Sequence, residues 1–426
     1  RLRALVDAPP ADVPIHPERA VAWFERESGL TLAPGQRDAI VAAIRGKVTV
    51  ITGGPGTGKT TLVRGLTRIF GLKDLRLALC APTGRASRRL SEAAGIPAKT
   101  IHRLLEWNPA RLAPARDLAR PLEADVVIVD ESSMIDIFLL RQLLEAVPAA
   151  ARVVFVGDAD QLPSVGPGSV LRDIIASGVA GTVRLTEIFR QDARSLIVSN
   201  AHAVLHGEMP EPLGEDFAFL ERDNPEAALA AVVELATREL PRRLGVPPAE
   251  IQVLVPMHKG TLGAIALNAA LQGTLNPDGA RIVPSRPLRV GDKVMQVRNN
   301  YELDVFNGDL GIVVSASGDA AMVRFYDRNC AYEADELDQL ETAYACTIHK
   351  SQGSEYAAVV VALHRQHFPM LQRNLLYTAI TRGKKFVAIV GSRGALAAAV
   401  ANDSERLRWT RLAARLSGEG RRRTPG

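Results

Sequence analysis

The sequence has 426 residues and a mass of 45.8 kDa, which suggests about two to four domains rather than one compact core. Hydrophobic residues make up 47% of the chain, charged residues 23%, and the mean hydropathy is +0.03, which excludes disordered, fibrous and membrane-spanning classes. The 3 isolated cysteines exclude a disulfide framework and indicate a reducing, cytoplasmic setting, while the net charge of +5 permits nucleic-acid binding without arguing for it.

Residues 1–30 are predicted to form a helical segment, whose first part is broken by several prolines. The chain begins with Arg1 rather than Met. We therefore expect this segment to belong to a truncated N-terminal domain, and further domains or partner surfaces can precede it.

From residue 31 to 185 the pattern alternates between helices and short apolar strands, which is typical of an α/β fold. The predicted strands are 48–52, 75–81, 126–129 and 153–157. Each is a continuous apolar run, as expected when helices cover both faces of a parallel sheet. Prolines and basic residues interrupt the pattern at 111–121, which predicts a protruding hairpin or loop.

A glycine-rich segment follows the first predicted strand. Residues 53–60 read Gly-Gly-Pro-Gly-Thr-Gly-Lys-Thr and match G-x-x-x-x-G-K-[ST] between a strand and a helix. Glycines allow backbone N–H groups to surround phosphates, Lys59 adds a positive charge, and the Thr60 hydroxyl can bind Mg²⁺. The residues expected to contact ATP here are Gly54, Pro55, Gly56, Thr57, Gly58, Lys59, Thr60 and Thr61.

Acidic residues follow the third predicted strand. Asp130 directly follows the apolar run 126–129 and is expected to hold Mg²⁺ beside the phosphates. Glu131 is then positioned to orient or deprotonate the attacking water. The simpler alternative is a strand end followed by a helix cap.

A polar turn follows the fourth strand, in the segment 157–163. Because parallel strands end at the same edge of a sheet, Gln161 is expected near the γ-phosphate, where a neutral amide can sense it. Without the two upstream motifs, the same residues would be an ordinary turn.

A second α/β region is predicted over 186–288 and 341–400, with strands at 251–256, 359–363 and 386–390. Between its two parts, residues 289–340 form short β-like pieces separated by glycine-bearing turns, which predicts an inserted β-barrel. The last segment, 401–426, is predicted to be a basic tail.

Hydrolysis also needs positive charge on the transferred phosphoryl group, which an arginine can supply. Arg190 and Arg382 are the candidates, and both lie in the second region. In an arginine-rich chain, either could be a surface residue, so spacing alone does not select them.

The ordered set of motifs resembles superfamily 1 helicases of the RecD-like family, relatives of the exodeoxyribonuclease V alpha subunit. The similarity extends from about residue 30 to 392, and the segment His-Lys-Ser-Gln-Gly-Ser-Glu is its most specific part. The matching segments are 53–60, 81–86, 129–134, 157–163, 189–191, 347–355 and 377–382.

The resemblance implies two RecA-like P-loop NTPase domains with ATP between them, an SH3-like β-barrel at 289–340, and a strand-parting β-hairpin insertion at 106–123. It implies that Gln36 reads the adenine edge, and that Arg190 and Arg382 are arginine fingers. Glu355 would approach the ribose or couple the DNA and ATP sites.

Nucleic acid is then expected across both domains. The implied contacts are Thr83, Gly84, Arg85, His102, Arg103, Thr347, His349, Lys350 and Ser351. Because aromatic residues are only 5% of the chain, backbone tracking fits better than continuous base stacking. His102 and His349 could equally be packed, hydrogen-bonded histidines.

The resemblance implies an ATP-driven DNA helicase of DNA repair or recombination, which uses ATP and Mg²⁺ and moves 5′→3′ on single-stranded DNA towards duplex junctions. The direction comes from the resemblance alone. Two alternatives stay open: a translocase or RNA-directed enzyme that does not unwind DNA, and a DNA-binding subunit that uses nucleotide only as a structural ligand.

Overall fold

The computed structural model describes residues 1–11, 13–108, 111–187, 195–404, 408 and 410–418. These residues form two units. The first contains the chain up to residue 187 and again from residue 408, and the second contains residues 195–404. Within the described residues, no helix is both long and apolar enough to cross a bilayer.

The first unit is an α/β domain. Its strands are β1 (Val48–Gly53), β2 (Leu77–Ala81), β3 (Ala98–Thr100), β4 (Trp107–Asn108), β5 (Ala113–Pro114), β6 (Val126–Val129), β7 (Arg152–Gly157) and β8 (Gly181–Leu185). Its helices are α1 (Leu2–Asp7), α2 (Pro17–Ser28), α3 (Pro34–Arg45), α4 (Lys59–Gly71), α5 (Gly84–Ala94), α6 (Ile101–Leu104), α7 (Ile137–Ala146) and α8 (Val170–Ser177).

A parallel sheet in the order β3-β2-β6-β7-β1-β8 forms the centre of this unit. Along β6, Val127 and Val129 belong to one buried cluster, whereas Val126 and Ile128 belong to another. Because successive side chains point to opposite faces, both faces are covered by apolar groups. The predicted parallel sheet with helices on both faces is confirmed.

The second unit contains a parallel sheet and an antiparallel one. Its strands are β9 (Phe217–Glu221), β10 (Ile251–Val255), β11 (Lys293–Gln296), β12 (Leu310–Ser317), β13 (Ala320–Phe325), β14 (Arg328–Tyr332), β15 (Leu340–Thr342), β16 (Ala345–Thr347), β17 (Tyr356–Leu363) and β18 (Gly383–Gly391). Its helices are α9 (Leu196–Leu205), α10 (Pro225–Glu234), α11 (Leu240–Leu244), α12 (Ala264–Leu275), α13 (Arg373–Ile380) and α14 (Arg393–Ala401).

The parallel sheet of the second unit has the order β16-β10-β17-β18-β9, and the antiparallel sheet has the order β14-β13-β12-β11-β15. The antiparallel strands enclose a separate small core that includes Val294, Val323 and Phe325. Gly318, with a φ of 60°, lies in the two-residue connection between β12 and β13. A left-handed glycine favours such a tight hairpin, and the predicted β insertion is confirmed.

A buried carboxylate joins this β insertion to the α/β core of the second unit. Asp292, which has no exposed surface, accepts hydrogen bonds from Gln272 Nε2 at 2.6 Å and Asn276 Nδ2 at 2.7 Å. The hydroxyl of Tyr344 donates to it at 3.0 Å. These bonds satisfy a group whose burial would otherwise be costly.

The chain then returns to the first unit. The segment predicted as a basic tail contains α15 (Leu412–Ser417), whose Leu416 is buried in the same cluster as Leu171 and Ile174 of α8. Upstream, Thr410 Oγ1 donates to Asp173 Oδ2 at 3.1 Å. We call residues 408 and 410–418 the C-terminal strap.

Candidate nucleotide and nucleic-acid sites

The glycine-rich segment forms a tight loop between β1 and α4. Gly56 and Gly58 have φ values of 71° and 78°, which side chains with a Cβ rarely adopt. The loop leads directly into α4, which begins at Lys59. Backbone N–H groups in such a loop and the following helix N-terminus form a site for phosphate oxygens.

Side chains within the loop stabilise its conformation by hydrogen bonds to its backbone carbonyls. Lys59 Nζ donates to the carbonyl oxygens of Gly53 at 2.5 Å and Gly54 at 2.8 Å. The buried Thr57 donates its hydroxyl to Gly54 O at 2.9 Å. Thr60 is exposed at the start of the helix, where its hydroxyl can reach a ligand.

The register of the sheet brings the three predicted catalytic segments to one edge. Val129 of β6 pairs with Phe155 of β7, which pairs with Val50 of β1. These strands are parallel, so the residues that follow them emerge on the same side. Asp130 and the turn after Gly157 therefore lie at the edge where the phosphate loop begins.

Asp130 has a perturbed electrostatic environment. Burial and then the neighbouring Glu131 raise the pKa of Asp130 above its usual range, while Lys59 and Arg89 act in the opposite direction. Glu131 adopts a left-handed φ of 50°, and its N–H donates to Asp130 Oδ1 at 2.9 Å. A strained carboxylate pair near a lysine is a common feature of catalytic sites.

These residues also fit a magnesium ion. Mg²⁺ usually binds through one or two carboxylates together with substrate phosphates, rather than in an all-protein cage. The described residues contain no cluster of three or more His, Cys, Asp or Glu side chains that could form such a cage. Asp130 and the exposed Thr60 carry the types of oxygen that such an ion would take as ligands, and their role as magnesium ligands stays a prediction.

Gln161 is held beside the same sheet edge. Its amide Nε2 donates to Asp158 Oδ2 at 3.1 Å, and both side chains are buried. Thr52, near the end of β1, accepts from Ala159 N at 3.1 Å through its hydroxyl. The segment expected to sense the phosphate is thus bonded directly to the strand that leads into the phosphate loop.

Gln36 contacts the phosphate loop from α3. Its Nε2 donates to Thr57 O at 3.1 Å, and its Oε1 accepts from Ala33 N at 3.1 Å. The side chain is 1% exposed. The reading of adenine by Gln36 stays a prediction, and the contact observed is with the loop itself.

In the second unit, Arg382 is 2% exposed and bonded to its own surroundings. Its guanidinium donates to Ser354 O at 3.0 Å and Thr378 O at 3.2 Å. Glu355 lies 3.1 Å from Lys384 Nζ. The predicted roles of Arg382 and Glu355 are untested, and Arg190 lies outside the described residues.

Two predicted DNA-contacting segments of the first unit are neighbours. Ala81 of β2 pairs with Thr100 of β3, so the turns after these strands emerge side by side. Thr83 caps α5 by accepting from Ala86 N at 3.3 Å, which places Gly84 and Arg85 in the first turn. Thr100 caps α6 in the same way, with His102 and Arg103 in its single turn.

His102 packs edge-on against Trp107, with ring centroids 5.6 Å apart. Burial lowers the pKa of His102 below its usual value, although Asp136 partly opposes this. Because the pKa falls, His102 is neutral at pH 7 and could offer DNA a hydrogen bond but not a positive charge.

The predicted DNA-contacting residues of the second unit lie at the end of β16 and in the turn that follows it. Thr347 is the last residue of β16, and His349 and Lys350 belong to the turn. Lys350 Nζ forms an ion pair with Glu341 Oε2 at 2.7 Å. Ser351 differs from the expectation, because it is fully buried and its hydroxyl donates to Ile348 O at 2.7 Å. It stabilises this turn in the structure and does not present its hydroxyl to the surface.

The hairpin predicted at 106–123 contains a short antiparallel pair, in which β4 and β5 pair Trp107 with Pro114. Glu106 accepts ion pairs from Arg116 at 2.7 Å and Arg120 at 3.3 Å. These ion pairs join the beginning of the segment to its second half. They lie at the surface, so they contribute little to global stability.

Several arginines beside the predicted nucleotide site are not among the candidate site residues that the sequence indicates. Arg89 acts electrostatically on Asp130, Arg172 donates to Ala159 O, and Arg184 Nη1 lies 3.4 Å from Asp160 Oδ2. None belongs to a recognisable motif, and arginine is abundant in this chain. Their roles follow only from the folded positions of α5, α8 and β8.

Three family models match the chain. An AAA domain matches residues 31–225, an ATP-dependent RecD-like DNA helicase SH3 domain matches 267–325, and a UvrD-like helicase C-terminal domain matches 342–390. The matched regions include the phosphate loop, part of the β insertion and part of the parallel sheet of the second unit.

Two curated proteins are similar along most of the sequence. The chain is 40% identical to the ATP-dependent RecD2 DNA helicase of Deinococcus radiodurans over 405 residues, covering 95% of the chain and 55% of that protein. It is 34% identical to the RecBCD enzyme subunit RecD of Mycobacterium tuberculosis, covering 90% of the chain and 74% of that subunit. The chain therefore spans only about half the length of the first relative.

Solved structures share the fold. A Bacteroides Pif1 helicase in complex with ADP-AlF3 and single-stranded DNA has a TM-score of 0.53 and 20% identity, covering 85% of the chain and 92% of that protein. A Pif1 helicase from Candida albicans has a TM-score of 0.51 at 20% identity. At this identity, the similarity supports the same α/β architecture.

Proposed function

Since the chain belongs to the RecD-like family of superfamily 1 helicases, we propose that it is an ATP-dependent DNA helicase that translocates on single-stranded DNA. The observation that supports this most strongly is the common sheet edge of the first unit. There the phosphate loop, the acidic pair and Gln161 follow three adjacent parallel strands, β1, β6 and β7.

The phosphate loop would bind the β and γ phosphates. Backbone N–H groups at the start of α4 donate to phosphate oxygens, and Lys59 turns its ammonium group from the loop carbonyls towards them. Thr60 and Asp130 would hold Mg²⁺, which neutralises charge that develops on the phosphates.

Glu131 would act as the general base. Its carboxylate orients water and accepts its proton as the oxygen approaches the γ-phosphorus. Gln161, held to Asp158, offers its amide to the γ-phosphate or the water without adding charge. Arg190 and Arg382 would stabilise negative charge in the transition state.

DNA contacts would follow from the neighbouring turns after β2 and β3 and from the turn after β16. Capped helix starts, hydroxyls, Arg85 and Lys350 are suited to phosphate oxygens, which carry no sequence information. We therefore expect binding that depends strongly on salt and weakly on sequence. The proposed 5′→3′ direction and the preference for DNA over RNA rest on the family.

ATP turnover and strand displacement test this proposal together. We expect single-stranded DNA to stimulate ATP hydrolysis, and a duplex with a 5′ tail to be unwound in preference to one with a 3′ tail. DNA-stimulated turnover without unwinding would identify a translocase, and displacement only of RNA duplexes would identify an RNA-directed enzyme. If DNA does not stimulate turnover, the motor function is wrong.

The hairpin provides a second test. Deletion of residues 108–120 is expected to reduce the unwinding rate roughly tenfold, while DNA-stimulated ATP hydrolysis stays within about twofold, because a strand separator acts outside the nucleotide site. The ion pairs of Glu106 are partly exposed, so their loss should cost little stability.

A matched control for the deletion is Arg116→Ala together with Arg120→Ala, which removes the ion pairs but keeps the hairpin chain. Unwinding should fall less in this variant than in the deletion. An equal loss of unwinding and ATP hydrolysis in the deletion variant would mean that the segment is structural.

A further inference from the structure

The C-terminal strap contacts the loop that follows the predicted sensor, Gln161. We call residues 164–168 the post-sensor loop. Arg408 Nη1 donates to the carbonyl oxygens of Ser164 at 2.6 Å, Gly168 at 3.1 Å and Gly166. The two N–H groups of this nitrogen are thus shared among three carbonyls of a loop that has no regular secondary structure.

The post-sensor loop is also bonded to the segment that follows the acidic pair. Ser164 N donates to Ser133 O at 3.1 Å, and Ile137 N donates to Pro167 O at 3.0 Å. Gly166 packs so closely that a Cβ there would lie 2.2 Å from Asp136 Oδ2. A displacement of this loop would thus be transmitted towards both Gln161 and Glu131.

Three arginines form hydrogen bonds or ion pairs with residues 159–168, and they come from different parts of the sequence. Arg172 donates to Ala159 O and Arg184 pairs with Asp160, and both follow the sensor closely in the sequence. Arg408 reaches the loop from 244 positions beyond Ser164, after the chain has formed the second unit. It follows Ser404, the last described residue of that unit, by four positions.

We propose that Arg408 is a positioning residue for ATP hydrolysis, which it promotes by fixing the post-sensor loop and, through it, Gln161 and Glu131. This inference rests on the proposed function. Arg408 does not need to touch the nucleotide, because its hydrogen bonds to the described residues are with backbone carbonyls. All three contacts are made by one nitrogen, Nη1, so a lysine ammonium could replace some of them from the same position.

Steady-state kinetics of the full chain test this role. Arg408→Ala is expected to lower kcat for DNA-stimulated ATP hydrolysis roughly tenfold, the scale of a misplaced catalytic group, with KM for ATP within about twofold. Arg408→Lys should recover part of the loss. Two controls, Arg415→Ala at an exposed position of α15 and Thr410→Val, which removes the bond to Asp173, should keep kcat within about twofold.

A double-mutant cycle separates positioning from general stabilisation. In a Gln161→Ala background, Arg408→Ala should lower kcat less than in the wild-type chain, because one of the two groups that it positions is already absent. A tenfold loss in both backgrounds, or an equal loss with Thr410→Val, would overturn the assignment in favour of a structural strap.

The outcomes also distinguish this inference from the proposed function. If the wild-type chain shows no DNA-stimulated turnover, the proposed function fails. If the wild-type chain hydrolyses ATP and Arg408→Ala matches its kcat, only the role of Arg408 is wrong. Thermal unfolding of each variant checks that the compared proteins are folded.

Discussion

Replacement of Lys59 by alanine is expected to lower ATP turnover by at least about 100-fold, because the variant loses the only side-chain cation of the phosphate loop. The ammonium group lies beside two carbonyl oxygens of the loop and acts electrostatically on Asp130. Its removal takes away an interaction that lowers the pKa of Asp130, so Asp130 becomes harder to ionise. Hydrolysis measured with saturating single-stranded DNA reports this loss directly.

The fold should tolerate this change. Lys59 is partly exposed in a loop, and its contacts are with neighbouring backbone carbonyls rather than with the core. Lys73→Ala, which removes an exposed lysine just beyond the end of α4, is the matched control and should keep normal turnover. Near-normal hydrolysis by Lys59→Ala would show that the nucleotide site has been placed wrongly.

A second large effect is expected at Arg382. If its guanidinium stabilises the transferred phosphoryl group, Arg382→Ala should lower kcat roughly 10³-fold while nucleotide affinity changes little. The guanidinium has five N–H donors, and it donates to Ser354 O, Thr378 O and Thr381 Oγ1 in the structure. These bonds can hold the side chain in place for a further contact.

The same bonds also fit the alternative that Arg382 has a purely structural role. Arg382 is almost fully buried, so alanine leaves carbonyl groups without their donor, and the free energy of unfolding should fall by about 1–3 kcal/mol. Arg382→Lys keeps the charge and serves as the conservative variant, while Arg393→Ala controls for loss of an exposed arginine in the same unit. A folded Arg382→Ala protein with normal kcat would exclude the finger role.

The central strands were predictable because burial on both faces requires continuous apolar runs. β6 was predicted with its observed bounds, and β1 and β7 each differ by one residue. β8 was missed because most of it is exposed, with the pattern of a sheet edge rather than a core strand. β3 and β16 have only three residues each, too few to show a period.

The candidate site was predictable where its residues are close in sequence and follow strands. The phosphate loop and Asp130 have this property, and parallel register alone brings them to one edge. The burial of Ser351 was not predictable, because nothing in its local sequence shows that its hydroxyl donates to Ile348 O. The contacts of Arg408 were equally hidden, since nothing local distinguishes it from the other arginines.

The first unit is built from two stretches of sequence that are separated by the whole second unit. The apolar side chains of α8, including Leu171 and Ile174, are covered by Leu416 only after more than two hundred further residues have been synthesised. The sheet of the first unit is therefore synthesised long before α15 can dock against α8. During this interval the apolar side chains of α8 lack the cover that Leu416 provides, and such transiently exposed apolar surface favours aggregation.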